Sequence, residues 1–311
     1  MKKGLKIALI ASGSLLGLIA LDLGVSLIYN KVNETTTTHE LKSSFNKIKA
    51  DVSTSDIEFI KVDKGYGKVV CKENKKQKHT VKVEGDTLKI NFDYKYRFNF
   101  LMFQPNFKVQ VYIPSTTEYD LNAIRSTGDI NIGKDFTFTN IKLGGSTGDA
   151  EISANVKNNV NIESSTGRIS ISKMKPASIN IETSTGSTHL TDINCSGNIN
   201  LKSTTGDKYL TDVKAKNLSI RASTGDTRID NVILSEKLSV NVSTGKVRIA
   251  ESDAAEIDIK TSTGDVNAEF LTSKVVYAKT STGDVDVPKS TSGGLCSIET
   301  STGDIKVTFK N

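Results

Sequence analysis

The chain has 311 residues, 41 basic and 35 acidic, with no Trp, 4 Pro and 23 Gly. Its formal net charge of +6 is unevenly placed: residues 31–120 carry 16 basic and 12 acidic side chains, whereas residues 121–311 carry 22 of each. A neutral C-terminal stretch of that length lacks the basic footprint that nucleic acid selects, so that class of partner is excluded.

Residues 1–6, with Lys2, Lys3 and Lys6, read as a cytoplasmic tip, and Ile7–Tyr29 read as a transmembrane anchor. At ~1.5 Å rise per residue this run spans about 34 Å, enough for a ~30 Å hydrocarbon core. Asp22 costs about 2.5–3.5 kcal/mol at mid-span, while each Leu, Ile or Val contributes roughly 0.3–0.6 kcal/mol, so insertion wins. Lysines before the span and only Lys31 close behind it place the C-terminal bulk outside the cytoplasm. No small-x-small cleavage site follows, so an uncleaved single-pass anchor is expected rather than a signal peptide. Cys71, Cys195 and Cys296 form no CxxC pair and read as free, buried thiols.

Residues 30–44, including Thr35–Thr38, read as a polar linker. Residues 45–120 read as a β-rich N-terminal cap. Val81 and Val83 face Leu88, Ile90 and Phe92 across a Gly85–Asp86 turn, and a degenerate "STSD" stands at Ser53–Asp56. Phe92, Tyr94, Tyr96, Phe98 and Phe100 alternate with polar residues. They supply either the core of this cap or, with Leu101, Met102 and Phe103, an exposed turn that touches lipid or a partner. Lys72, Lys75, Lys76 and Lys78 decorate a hairpin tip.

Residues 121–311 repeat one corner ten times: Thr127–Gly128, Thr147–Gly148, Thr166–Gly167, Thr185–Gly186, Thr205–Gly206, Thr224–Gly225, Thr244–Gly245, Thr263–Gly264, Thr282–Gly283 and Thr302–Gly303. A period of 19–20 residues kept over ten copies signals a repeat architecture. Apolar residues fall seven and five positions before each Gly (Ile179 and Ile181, Leu238 and Val240) and two and four after it (Ile169 and Ile171, Val247 and Ile249), with polar residues between. Each copy is therefore strand, corner, strand. Two amphipathic strands cannot close a core alone, but stacked coils at ~4.8 Å can. The expected fold is all-β: a parallel β-solenoid (single-stranded β-helix) of about ten coils, roughly 43 Å long, behind the cap and one transmembrane helix. Gly supplies the positive φ of the corner. By alternation the Thr before it points inward, the preceding Ser points out, and the following Asp caps corner N–H groups.

No chemistry emerges from spacing. His39, His79 and His189 fall in a linker, a loop and one outward strand position, so neither a metal pair nor a Ser–His–Asp set is assembled. The corner Asp row is regular and broken by Arg168, Ser187 and Lys246, which makes a poor calcium cage. No catalytic residue, cofactor or metal site is expected. The chain ends soon after the tenth corner, so the last coil is expected to bare its strand edges, with Lys306, Phe309 and Lys310 blunting or serving a docking tip.

A single span, a β-rich head, "YIP" at Tyr112–Pro114 and tandem S-T-G-D corners resemble the bacterial adhesin-like domain of unknown function, LiaG-like type, over about residues 45–311. The resemblance implies an envelope-facing protein and carries no binding residues with it. The expected function is a membrane-anchored extracellular scaffold for adhesion to an envelope polymer. The alternative is an accessory or sensor of an envelope-stress response acting through a membrane-protein partner, and a glycan-processing enzyme ranks last.

Overall fold

The computed structural model describes residues 34–74, 77–94 and 107–310. The apolar run Ile7–Tyr29 and the aromatic turn with Leu101, Met102 and Phe103 lie outside these residues. Among the described residues every regular element is a β-strand. The strands form two 14-stranded sheets facing each other: a leading sheet of strands that precede corners and a trailing sheet of strands that follow them. Repeat strands pair parallel, Asn159–Thr166 on Ser178–Thr185 and Ile169–Met174 on Thr188–Asn194 for example.

Alternation explains why the coils close. In the leading sheet Val160, Ile179, Ile199, Leu218 and Leu238 stack in register and are buried; in the trailing sheet Ile152, Ile171, Leu190, Leu210 and Ile229 do the same. Each such side chain contributes about 1.5–3 kcal/mol on burial, so stability accumulates coil by coil.

The corners differ from the expectation in one respect. Alternation breaks there, and the two residues before the Gly are exposed at every copy. The inward position lies one residue earlier, at Ser164, Thr183, Ser203, Ala222, Val242, Thr261 and Thr300. The chain cannot turn a corner and keep a two-residue period, so two successive side chains face out. What stacks is backbone: Gly206 N–H donates to Thr224 O at 2.9 Å, and Gly225 N–H to Thr244 O at 2.9 Å. The Asp does cap. Asp149 N–H donates to Asp129 Oδ1 (2.7 Å), Asp226 N–H to Asp207 Oδ1 (2.8 Å) and Lys246 N–H to Asp226 Oδ1 (2.8 Å). A second bend has no glycine at all: Lys173, Asp192, Asp212, Asn231 and Glu251 take φ between 47° and 57° in successive coils.

Both ends of the rod are threaded alike. Lys47–Asp51 lies between Thr87–Tyr94 and Glu118–Arg125, although it precedes both in sequence. At the other end Gly294–Thr302 and Ile305–Phe309 insert between the coil of Gly264 and that of Gly283. Each terminal coil thus pairs on both sides, which satisfies both rows of its backbone groups. Consequently the last coil in sequence does not bare the edge. The distal rungs are Lys274–Thr282 and Val285–Asp286. Lys306 faces Asp286, Phe309 is half-buried beside Phe270, and Lys310 pairs with Glu251, one coil in from the tip.

Residues 45–120 supply two parallel coils of the same sheets together with antiparallel end strands. The "STSD" segment acts as a corner, with Asp129 N–H donating to Asp56 Oδ1 at 2.8 Å. Gln77–Glu84 pairs antiparallel with Thr87–Tyr94, and Lys68–Asn74 with Phe107–Pro114. The stretch read as a linker holds a further strand, Glu34–Glu40, antiparallel to Lys68–Asn74; its β-branched Thr35–Thr38 suit a pleated edge.

Candidate functional site

The outward face of the trailing sheet carries one row of aligned side chains: Ser170, His189, Tyr209, Arg228, Arg248 and Asn267. Successive rungs at ~4.8 Å bring equivalent side chains into contact. His189 and Tyr209 therefore stack, with ring centroids 4.7 Å apart and planes 16° from parallel. Both rings are tethered to their own corners. His189 Nε2 lies 3.1 Å from Ser187 Oγ, and Tyr209 Oη donates to Asp207 Oδ2 at 3.0 Å. Burial and the nearby Arg168 hold the His189 imidazole below its ordinary pKa, while the bond to Asp207 holds the Tyr209 phenol above its own. At neutral pH both rings are thus uncharged.

The next rung beyond His189 carries only Ser170. The drop from ring to hydroxymethyl makes a ledge, the floor of an open groove of about 480 Å³ lined by Arg168, Ser170, Ser172, Ser187, His189, Thr191, Asp207 and Tyr209. Arg168 stands exposed at its rim, and among the described residues its guanidinium makes no salt bridge or hydrogen bond. Two of the three corners that depart from Asp, Arg168 and Ser187, belong to this groove. The sequence showed the departures but not that they adjoin the only stacked aromatic pair on a repeat flank among the described residues.

The opposite, leading sheet presents an amide ladder: Asn200 Nδ2 donates to Asn180 Oδ1 (2.8 Å) and Asn180 Nδ2 to Asn161 Oδ1 (3.0 Å), beside the Lys202–Glu182 pair (2.6 Å). These groups satisfy one another. At the distal tip Tyr277, Val285 and Leu295 are exposed.

A second cluster, absent from the sequence reading, lies inside the proximal end. Strand pairing turns Cys71 and Glu73 to one interior face and brings His79 against them. His79 Nδ1 lies 3.1 Å from Glu73 Oε2 and its Nε2 3.0 Å from Ser55 Oγ, while Thr37 Oγ1 donates to Glu73 Oε1 at 2.6 Å. A Ser–His–acid line is thus assembled after all, but Ser55, Glu73 and His79 are all buried. Burial lowers the His79 pKa against the pull of Glu73, and burial together with Glu73 pushes the Cys71 thiol up to about 12. Cys71, Cys195 and Cys296 are all free and buried.

These features define a class: an all-β parallel β-solenoid. The chain belongs to the Toastrack DUF4097 family, whose model matches residues 45–208 and 194–311. No curated relative matches it. Among solved structures it is similar to a "putative adhesin" from Bacteroides fragilis (15% identity, 88% of this chain and 96% of that one, TM-score 0.44). It is also similar to a "putative lipid binding protein" from Parabacteroides distasonis (18% identity, 76% and 96%, TM-score 0.47) and a "putative adhesin" from the same species (13%, 86% and 97%, TM-score 0.39).

Proposed function

We propose that the protein is an adhesin-like scaffold, tethered by Ile7–Tyr29 with its rod outside the cell, whose trailing-sheet groove binds an anionic glycan polymer of the envelope. The carrying observation is the tethered His189–Tyr209 stack beside the free Arg168 guanidinium. A sugar ring lies over the His189 face, in the space left by Ser170, where C–H groups meet an uncharged π-surface. Arg168 meets a carboxylate or phosphate of the same unit through its two-pronged donor geometry. Because both rings are already held by hydrogen bonds, little side-chain freedom is lost on binding. Arg228 and Arg248 continue the row, so a linear chain can run along the rod axis.

The test uses the full chain in detergent and purified anionic envelope glycan, with binding followed calorimetrically. Tyr209→Ala and Arg168→Glu are each expected to weaken binding at least ~10-fold, about 1.4 kcal/mol, with both variants still folded and melting cooperatively. Native affinity in both variants sinks the proposal. In a parallel pull-down from intact membranes, recovery of an integral membrane protein in place of glycan would instead support the stress-accessory reading.

A further inference from the structure

The proximal end of the rod is closed by strands that run against the coil direction, and the Cys71, Glu73 and His79 side chains meet inside this closure. Cys71 and Glu73 alternate on one face of Lys68–Asn74, in the trailing sheet, and His79 comes from Gln77–Glu84, in the leading sheet. Their sulfur, carboxylate oxygen and imidazole nitrogen lie within 4.8 Å of one another. Ligands around a tetrahedral Zn²⁺ at ~2.0–2.3 Å stand roughly 3.3–3.8 Å apart, so side-chain rotations closing about 1 Å would complete three positions.

We propose that Cys71, Glu73 and His79 bind a zinc-like divalent cation that clasps the two sheets together at the proximal end.

Three observations support a cation. Glu73 is a buried carboxylate: its Oε2 accepts from the His79 backbone N–H at 2.7 Å and faces His79 Nδ1, its Oε1 accepts from Thr37, and among the described residues no Lys or Arg forms a salt bridge with it. A buried carboxylate with no Lys or Arg beside it is costly to ionise, and a cation removes that cost. Ser55 Oγ sits 3.0 Å from His79 Nε2. If Nε2 carries the proton and donates to Ser55, Nδ1 presents its lone pair toward Cys71 and Glu73, the outer-shell arrangement that orients metal-bound histidines. Finally, the Nε2 atom of His39 is buried with no hydrogen-bond partner, and His39 shares the inward face of its strand with Thr37, directly opposite Cys71. The fourth position falls to His39 or to a water molecule. The donor set of one thiolate, one imidazole and one carboxylate suits Zn²⁺ and its borderline neighbours rather than Ca²⁺ or Mg²⁺. Binding displaces the Cys71 thiol proton to solvent. Cys195 and Cys296 are natural controls: each is buried in the repeats, and among the described residues neither has a neighbouring His and carboxylate to complete a metal group.

The experiment uses the full chain in detergent, stripped with chelator and then titrated with Co²⁺ or Zn²⁺. One equivalent of Co²⁺ is expected to bind, with a near-ultraviolet sulfur-to-cobalt charge-transfer band and the visible absorption of a four-coordinate ion. The band should vanish in Cys71→Ser and persist in Cys195→Ser and Cys296→Ser. Zn²⁺ should raise the melting temperature of the stripped protein by about 5 °C or more. Should Cys71→Ser fail to fold, His79→Gln and the native protein's own spectrum decide the matter. If the folded, stripped protein takes up no Co²⁺ and its melting curve ignores Zn²⁺, the proposal is overturned and the cluster is a closed Ser55–His79–Glu73 hydrogen-bond chain. A charge-transfer band that survives Cys71→Ser overturns it equally.

Discussion

Replacing Gly225 by alanine tests why the corner repeats. Gly225 has φ +134°, and a Cβ added there would lie 2.3 Å from Gly206 O and 2.6 Å from Gly206 C. The obstacle is the backbone of the preceding coil, which cannot swing aside as a side chain would. Restoring contact distance requires the coils to separate by about 1 Å, against a ~4.8 Å repeat. The backbone conformation alone costs about 1–3 kcal/mol, and overpacking adds about 1–3 kcal/mol. Weakening the Gly225 N–H bond to Thr244 O adds roughly 1 kcal/mol. The expected loss is therefore about 3–7 kcal/mol. Gly133 is the control: it has no positive φ, and a Cβ there meets nothing within 4 Å. Gly133→Ala should be neutral or stabilise by up to ~1 kcal/mol. Urea unfolding followed by circular dichroism, read as a midpoint change at constant slope, measures both. Should the two variants agree within about 1 kcal/mol, backbone stacking is not what the corner glycines serve.

Asp226→Ala removes the acceptor of the Lys246 N–H and should cost about 1 kcal/mol, whereas Thr224→Val, at an exposed hydroxyl, should stay within ~0.5 kcal/mol. The reverse order, in the same urea assay, would contradict the outward placement of the corner Thr. Lys208 is fully buried, bonded to Ser203 Oγ and Gly206 O, and burial pulls its pKa down to about 8 from 10.5. Between those pH values the unfolded chain binds more protons, so this group's contribution to stability rises with pH across that window and its penalty is complete below it. Lys208→Met should therefore stabilise by about 1–3 kcal/mol at pH 7, after allowance for screening near the corner. The advantage over the parent should shrink toward pH 10, and a constant difference across a melting series from pH 7 to pH 10 would refute the assignment.

The coil was legible because its signals are local: Gly at a fixed period and alternation on either side of it. The inserted ends were not, because the sequence rhythm of Gly264, Gly283 and Gly303 is the same whichever order they stack in. The exposed corner Thr was misread by extending a two-residue period through a bend that breaks it. Lys173, Asp192, Asp212, Asn231 and Glu251 gave no sign of a second bend, since none is glycine and each sits at a plausible strand position. Of the candidate groove, the sequence showed Arg168 and Ser187 only as gaps in an Asp row. Their meaning depends on His189 and Tyr209 standing one rung apart, which register alone reveals. The buried Cys71–Glu73–His79 group escaped for a similar reason. Cys71 and Glu73 show their shared face by alternation, but nothing local brings His79 to them from the other sheet.

The most direct test of the adhesive flank is a photoreactive side chain placed at Ser170, the floor of the groove, in the full chain on intact cells. Asp258, outward on the leading sheet, serves as the comparison. On irradiation the probe at Ser170 is expected to capture anionic envelope glycan and the probe at Asp258 to capture little. Equal capture at both positions, or capture at Ser170 of an integral membrane protein and no glycan, would contradict the groove as the polymer-binding surface.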